Sequence, residues 1–151
     1  ARDSGPSRKK EMRDLANNLV VKQAIAPLTI TDDTGFTGII IDRDGFDSVM
    51  FAITLGTLAD AGFTGTVTVQ EGDDSGLSDA ASVATADLTI SANGFTFTQA
   101  DDNKTLKVGY VGTKRYLRVN VAISGNAGSL PLAAVAVLGH STQLPQSTQK
   151  V

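Results

Sequence analysis

The sequence predicts an all-β protein, an antiparallel β-sandwich that is jelly-roll-like, with an extended N-terminal arm carrying a short helix. Two observations predict the sandwich. From residue 28 onward the chain is rich in Thr, Val, Ile and Gly, and apolar residues alternate with polar ones as in half-buried strands. Clusters of Asp, Asn, Ser and Gly interrupt this alternation at short intervals, and such clusters form tight turns between strands.

Strands are expected between these turns. They lie near residues 28–31, 36–41, 46–56, 64–71, 84–91, 94–98, 104–110, 114–123 and 131–139. The segment 131–139 is apolar on both faces, which indicates either a central position in its sheet or a contact between subunits. The segment 46–56 is similar, because Phe46, Met50 and Ala52 lie opposite its main apolar face.

The best helical window in the chain is residues 10–24. Met12, Leu15 and Leu19 recur at helical spacing, and Pro27 ends the pattern. One short amphipathic turn is marginal alone, so we expect this segment to need a partner surface.

The sequence divides into three regions. Residues 1–27 are interpreted as a basic N-terminal arm, 28–140 as the β-sandwich body and 141–151 as an irregular C-terminal tail. Val20 and Val21, near the end of the arm, are also compatible with extended backbone.

Charge is unevenly distributed between the arm and the body. Up to Lys22 there are six basic and three acidic residues, a net charge of +3, and from residue 23 onward seven basic and thirteen acidic residues give −6. A basic arm on an acidic body can dock on an acidic neighbour, including another copy of the chain. The expected contact residues in the arm are Arg8, Lys9, Lys10, Met12, Arg13, Leu15 and Leu19.

Composition excludes several classes of protein. The chain contains no cysteine, which excludes a disulfide framework, a zinc–thiolate site and a thiol nucleophile. No apolar run approaches the ~18–20 residues that span a bilayer, so we expect a soluble chain without a membrane partner. The acidic body argues against specific nucleic-acid binding.

Catalytic motifs are missing from the sequence. His140 is the only histidine and follows an apolar strand, with no Gly-x-Ser-x-Gly motif and no phosphate-binding glycine loop in the chain. We therefore expect no enzymatic activity, no catalytic residues and no cofactor.

Two acidic clusters have spacings that oxygen ligands of calcium can adopt. They are Asp42, Asp44 and Asp47, and Asp73, Asp74 and Asp79. Neither matches the twelve-residue EF-hand loop, and both read more simply as hairpin turns carrying solvated charge. The expectation is therefore that no metal is bound.

One stretch of the body combines basic and aromatic residues. It contains Lys104, Lys107, Tyr110, Lys114, Arg115, Tyr116 and Arg118. Such a surface can stack and pair with single-stranded nucleic acid, but only two aromatic residues contribute. The favoured alternative is that the arginines pair with carboxylates within or between subunits, which makes Tyr116 and Arg118 possible inter-subunit contacts.

Several segments resemble a group of small accessory virion proteins of tailed bacteriophages. They are VGYVGTKRYLRV (108–119), LPLAAVAVLGH (130–140), DRDGFDS (42–48), VQEGDD (69–74) and DLANN (14–18). The resemblance spans most of the chain, and its motifs are structural. It implies an accessory head component, either a decoration (cement) protein or the base of a head fibre, and it transfers no catalytic residue.

The expected function is therefore decoration and stabilisation of a phage capsid through subunit contacts. The implied partners are the major capsid protein and other copies of the chain, with a trimer favoured. The implied location is the capsid exterior of the virion, and the host cytoplasm during assembly. The alternatives are a neck, tail or head-fibre-base component, or a carbohydrate-binding module for host attachment.

Overall fold

The computed structural model describes residues 13–146, which form eleven strands and three short 3-10 turns. The strands are β1 (Val20–Ile30), β2 (Phe36–Thr37), β3 (Ile41–Asp42), β4 (Phe46–Leu55), β5 (Thr64–Gly72), β6 (Ala81–Ser82), β7 (Leu88–Thr89), β8 (Phe95–Phe97), β9 (Thr105–Tyr110), β10 (Tyr116–Ser124) and β11 (Leu130–Ser141). The 3-10 turns are Ala16–Asn18, Thr85–Asp87 and Gln99–Asp101. No helix within residues 13–146 is long and apolar enough to cross a membrane.

The strands form two antiparallel sheets. Sheet A has the order β1-β11-β4-β9-β7, and sheet B has the order β2-β10-β5-β6, with β3 also paired to β10 and β8 to β5. β2 and β3 share one strand position beside β10, and β6 and β8 share another beside β5. β7 is an additional short edge strand of sheet A, beside β9. With β7 left aside, the eight positions read 1-8-3-6 in sheet A and 2-7-4-5 in sheet B, which is the strand order of a jelly roll. The predicted fold class is confirmed.

The core lies between the two sheets. Phe51 and Ile53 of β4 face Leu117 and Val119 of β10 from opposite sheets, and all four side chains are fully buried. Their neighbours along each strand point outward, as a period of two requires. This packing leaves two outer faces, one on each sheet, as the broad surfaces of the molecule.

One end of the sandwich is closed by a polar link between the sheets. The buried Tyr110 hydroxyl of β9 donates a hydrogen bond to Glu71 Oε2 of β5 at 2.5 Å, and accepts one from the Lys114 backbone N–H at 2.9 Å. Burial, reinforced by the Glu71 carboxylate, raises the pKa of Tyr110. The phenol therefore stays a neutral donor that ties sheet A to sheet B.

β11 lies in the interior of sheet A, between β1 and β4. The central position predicted for this doubly apolar segment is thus correct. Its outward residues Val135 and Val137 are nevertheless exposed and half-buried, respectively. The alternative that they contact another subunit therefore stays open.

The helix predicted for residues 10–24 is wrong over its second half. Residues 20–24 are the first half of β1, and before them the described chain has Arg13 in helical conformation and only the 3-10 turn Ala16–Asn18. Residues 10–12 lie outside the described range. Pairing of β1 with β11 satisfies the backbone from Val20 onward, and this tertiary pairing overrides the local helical spacing.

β1 is an edge strand with an irregular register. The pairing with β11 shifts between Gln23 and Ile25 and again between Ile25 and Leu28, and Pro27 lies inside the second shift. An edge strand tolerates proline and bulges because it lacks a second partner. Because of these irregularities, β1 does not show the alternation of apolar and polar residues that predicts a strand. Residues 20–27, which the sequence analysis assigns to the arm, are therefore part of sheet A.

Three other predicted strands are broken or shortened in the structure. The segment 36–41 forms β2 and β3 separated at Gly38, where a Cβ atom would collide with the Val119 carbonyl oxygen. The segments 84–91 and 94–98 contract to β7 and β8, because a 3-10 turn takes the start of the first.

Candidate interaction surfaces

The two outer faces of the sandwich differ sharply in polarity. On sheet A, the register places Val21, Val137 and Met50 in one row across β1, β11 and β4. The next row contains Gln23, Val135, Ala52 and Lys107. We define the sheet A face as Val21, Met50, Ala52, Ala133, Val135 and Val137, an apolar block with Gln23 and Lys107 at its two margins.

A groove of about 660 Å³ lies at one end of the sheet A face. Met50, Gly109 and Val137 line it together with Leu15 and Leu19 of the N-terminal segment, and the exposed Ile90 and Leu144 contribute at its rim. Ile90 is 75% exposed at a φ of 77°, a backbone conformation that β-branched residues rarely adopt. A shallower depression lined by Leu28 and Pro131 lies toward the other end of β11.

The structure describes only three of the seven residues that were expected to form the arm contacts. Arg8, Lys9, Lys10 and Met12 lie outside the described residues. Of the remaining three, Arg13 and Leu15 are exposed, and the half-buried Leu19 lies beside Gly139 of β11. Leu15 and Leu19 therefore belong to the apolar groove, which is how the N-terminal segment joins the sheet A face.

The outer face of sheet B is polar and internally hydrogen-bonded. Gln70 Oε1 accepts hydrogen bonds from Arg118 at 2.9 and 3.2 Å and from Asn120 Nδ2 at 2.8 Å. Asn120 Oδ1 accepts the Gly38 backbone N–H at 3.0 Å. Arg118, expected to pair with a carboxylate, thus binds an amide of its own chain.

Tyr116 lies at the end of the same face, under the Arg115 guanidinium. The Arg115 Cζ atom is 5.1 Å from the Tyr116 ring centroid, and its nitrogens donate to both Asp42 oxygens at 2.9 Å. Asp44 lies 3.5 Å from the same guanidinium. The Arg115 hydrogen bonds lower the pKa of Asp42. Arg115 is therefore paired within the chain, as one of the two sequence-based alternatives predicts.

The acidic cluster of Asp73, Asp74 and Asp79 is hydrogen-bonded within its own loop. Asp79 accepts the backbone N–H groups of Asp73 and Asp74 at 2.7 and 3.2 Å, and Asp74 accepts those of Gly76 and Ser78. These backbone donors, led by Asp73 N–H for Asp79 and Ser78 N–H for Asp74, lower the pKa of both carboxyls. Among residues 13–146 no group of three potential ligands is arranged to hold a metal ion.

Acid should weaken the fold through these turn carboxylates. Because hydrogen bonds hold the pKa of Asp42, Asp60, Asp74 and Asp79 below 3.8 in the folded chain, their stabilisation is complete above that pH. It is lost as the pH falls through the folded values. We expect the thermal midpoint to hold between pH 7 and about 5 and to fall below pH 4.

An Asp79→Asn variant provides the matched comparison for this pH series. It removes one titrating group while keeping the side-chain shape, so its decline below pH 4 should be smaller than that of the parent. Identical declines in the two proteins, followed by circular dichroism, would contradict a contribution from Asp79.

His140 makes one polar contact that the sequence did not indicate. Its Nδ1 atom lies 2.6 Å from the Ser48 hydroxyl, at the edge of the groove. A hydrolytic triad also needs a carboxylate on the other ring nitrogen, and no carboxylate of residues 13–146 is hydrogen-bonded to His140. Within the described chain, the contact links the start of β4 to the end of β11.

The sequence signals for the sheet A face were present but incomplete. The doubly apolar segment 131–139 and the apolar reverse side of 46–56 both indicated it. Val21 was missed because it lay in the helical window. Ile90 was missed because nothing in its local sequence indicates a positive φ.

Comparison with known proteins identifies structures of similar shape at low similarity. Neither a protein-family model nor a curated protein matches the chain. Among solved structures, the SPBc2 prophage-derived protein YomS is 9% identical at a TM-score of 0.45, covering 79% of this chain and 94% of its own. The xylan-binding module CBM15 is 12% identical at 0.40, covering 86% and 95%.

A structure of infectious bursal disease virus, Gt strain, is also similar, with 12% identity and a TM-score of 0.40 over 85% of this chain and 34% of the viral one. TM-scores below 0.5 carry no argument about function. The chain is similar to these proteins in outline, and its assignment as a jelly roll rests on its own strand order.

Proposed function

We propose that this protein is a structural component of a tailed-bacteriophage virion, a decoration protein that stabilises the capsid from outside. The observation that carries the proposal is the sheet A face. Its two exposed valines and its half-buried valine, alanine and methionine side chains form a contiguous apolar surface across β1, β11 and β4 of sheet A. Contiguous apolar surface of this kind marks a site of protein association. The resemblance of several sequence segments to small phage head proteins is the reason for proposing a phage capsid as the partner in this association.

The N-terminal segment is the proposed contact with the shell. Its net charge of +3 up to Lys22 stands against −6 for the rest of the chain, so it is the part suited to an acidic partner. Its described end runs along the groove through Leu15 and Leu19, which adds apolar contact. Many such weak contacts, repeated over a shell of major capsid protein, hold firmly without one tight site.

The test uses preformed shells that lack the protein. Deletion of residues 1–12 removes Arg8, Lys9 and Lys10 but leaves every described residue in place. We expect shell occupancy in co-sedimentation to fall at least tenfold, and the added thermal stability of the shells to disappear. Binding by the full chain should weaken as salt is raised, because the contact is electrostatic.

A charge-matched control distinguishes an effect of the N-terminal segment from an effect of the net charge of the whole protein. Lys9→Gln/Lys10→Gln should reduce occupancy, whereas Lys104→Gln/Lys114→Gln, which removes the same charge from the body, should not. Undiminished occupancy after deletion of residues 1–12 would refute this contact.

The number of copies per particle distinguishes a decoration protein from components at other positions in a virion. Hundreds of copies per particle are expected for a decoration protein, and about a dozen or fewer for a neck, tail or head-fibre-base component. Binding on a glycan array would instead favour a host-attachment module.

A further inference from the structure

We infer that the sheet A face is covered by a second copy of this chain. The inference deepens the proposed function and rests on it for the expectation that copies work together in an assembly. Val21 is 50% exposed and Val135 37% exposed, and they flank Val137 and Met50 in the middle of a continuous sheet.

The sheet A face lies within an outer side of sheet A that is large enough for a contact between copies. Five strands spaced ~4.8 Å apart give that side a width of roughly 20 Å, and the twelve residues of β11, its longest strand, give a length of roughly 40 Å. The product is at most on the order of 800 Å², the area that each partner contributes to a standard protein–protein interface, and the apolar sheet A face is the central part of it. A groove and a shallower depression lie toward the two ends of the face, and side chains of a second copy can pack into them.

The terminal segments of the same chain are poorly suited to cover this face. Residues 1–12 contain six charged side chains and a single large apolar one, Met12. Residues 147–151 read Ser-Thr-Gln-Lys-Val, with one apolar side chain. Covering a row of valine, alanine and methionine side chains requires a broad apolar partner, and the sheet A face of another copy is one.

Charge favours the sheet A face over the other surfaces for contact between copies. The chain from residue 23 onward carries a net charge of −6, so two copies repel one another through most orientations. The sheet A face has no charge at its centre, and its only marginal cation in the two described rows is Lys107. The outer face of sheet B has already paired its polar groups internally, through Gln70 and Arg118.

The test measures the mass of the purified full-length chain in the absence of shells. Light scattering coupled to size exclusion should give a dimer or a larger oligomer. Val135→Lys should convert it to a monomer, because a lysine at the centre of the contact would be buried without a partner. Ala122→Lys, at an exposed outward position on sheet B, is the matched control and should keep the parent mass. Circular dichroism melts check that both variants are folded.

Cross-linking gives a second readout, which the natural sequence makes simple. The chain has no cysteine, so a single Val135→Cys substitution introduces one thiol per copy. Mild oxidation should link two Val135→Cys chains covalently, and Ala122→Cys chains should remain unlinked.

The outcomes distinguish this inference from the proposed function. A monomeric parent at about 100 µM, or an oligomer that survives Val135→Lys, overturns the inference. Monomers that still decorate shells would refute the inference alone. Oligomers dispersed by Val135→Lys that never bind a shell would refute the proposed function alone.

Discussion

Replacing Phe51 with alanine should destabilise the protein by about 3–5 kcal/mol, the range for removing a buried phenylalanine. Phe51 is fully buried in β4, where it pairs with Ala136 of β11 and Val108 of β9. Neither neighbour is long enough to fill the space that the ring leaves. Because a domain of this kind is stable by roughly 5–15 kcal/mol, the loss is a large fraction of the total.

Thr54→Ala is the matched control for this substitution. Thr54 belongs to the same strand but points outward and is exposed, so its replacement should change the free energy of unfolding by less than about 0.5 kcal/mol. Urea unfolding followed by far-ultraviolet circular dichroism measures both variants. A loss below 1 kcal/mol for Phe51→Ala would show that the two sheets are not tightly packed there.

Deleting residues 1–24 should be far more damaging than deleting residues 1–12. The longer deletion removes Val20 and Ala24 from the core, together with the paired stretch from Val20 to Gln23. Burying a valine contributes ~1.5–3 kcal/mol, and each lost strand hydrogen bond adds ~1 kcal/mol. We therefore expect a loss of more than about 3 kcal/mol for the longer deletion and less than about 0.5 kcal/mol for the shorter one.

The same urea experiment checks this pair of deletions. Equal midpoints for the two truncated proteins would mean that residues 13–24, which include the first half of β1, contribute nothing to the stability of the fold. The comparison also shows why the shell-binding test uses the shorter deletion. Only that deletion removes basic residues without removing part of a strand.

Most of the sandwich could be predicted because its long strands obey simple rules. β4, β5, β10 and β11 alternate buried and outward residues with a period of two, and glycine-containing turns mark their ends. The prediction failed where local sequence and tertiary pairing disagree. Leu15 and Leu19 have helical spacing, yet the chain from Val20 onward gains more by pairing with β11 than by continuing a helix.

The candidate surface was harder to predict than the fold. Sequence patterning showed that β11 is apolar on both faces, but not which strands flank it. The apolar face appears only when the register brings Val21, Val137 and Met50 into one row. Sequence patterning likewise could not indicate the hydrogen bond from Arg118 to Gln70, because it joins residues far apart in the chain.

The irregular edges of sheet A limit the kinds of aggregate that the protein can form. A long regular edge would expose unpaired N–H and C=O groups to the next molecule and allow fibrils to grow without end. Here one flank is β1, interrupted by Pro27 and two register shifts, and the other flank is β7, which is two residues long. Strand-by-strand extension is therefore obstructed on both sides. Copies at high concentration would be steered away from open-ended polymers and toward closed assemblies of fixed stoichiometry.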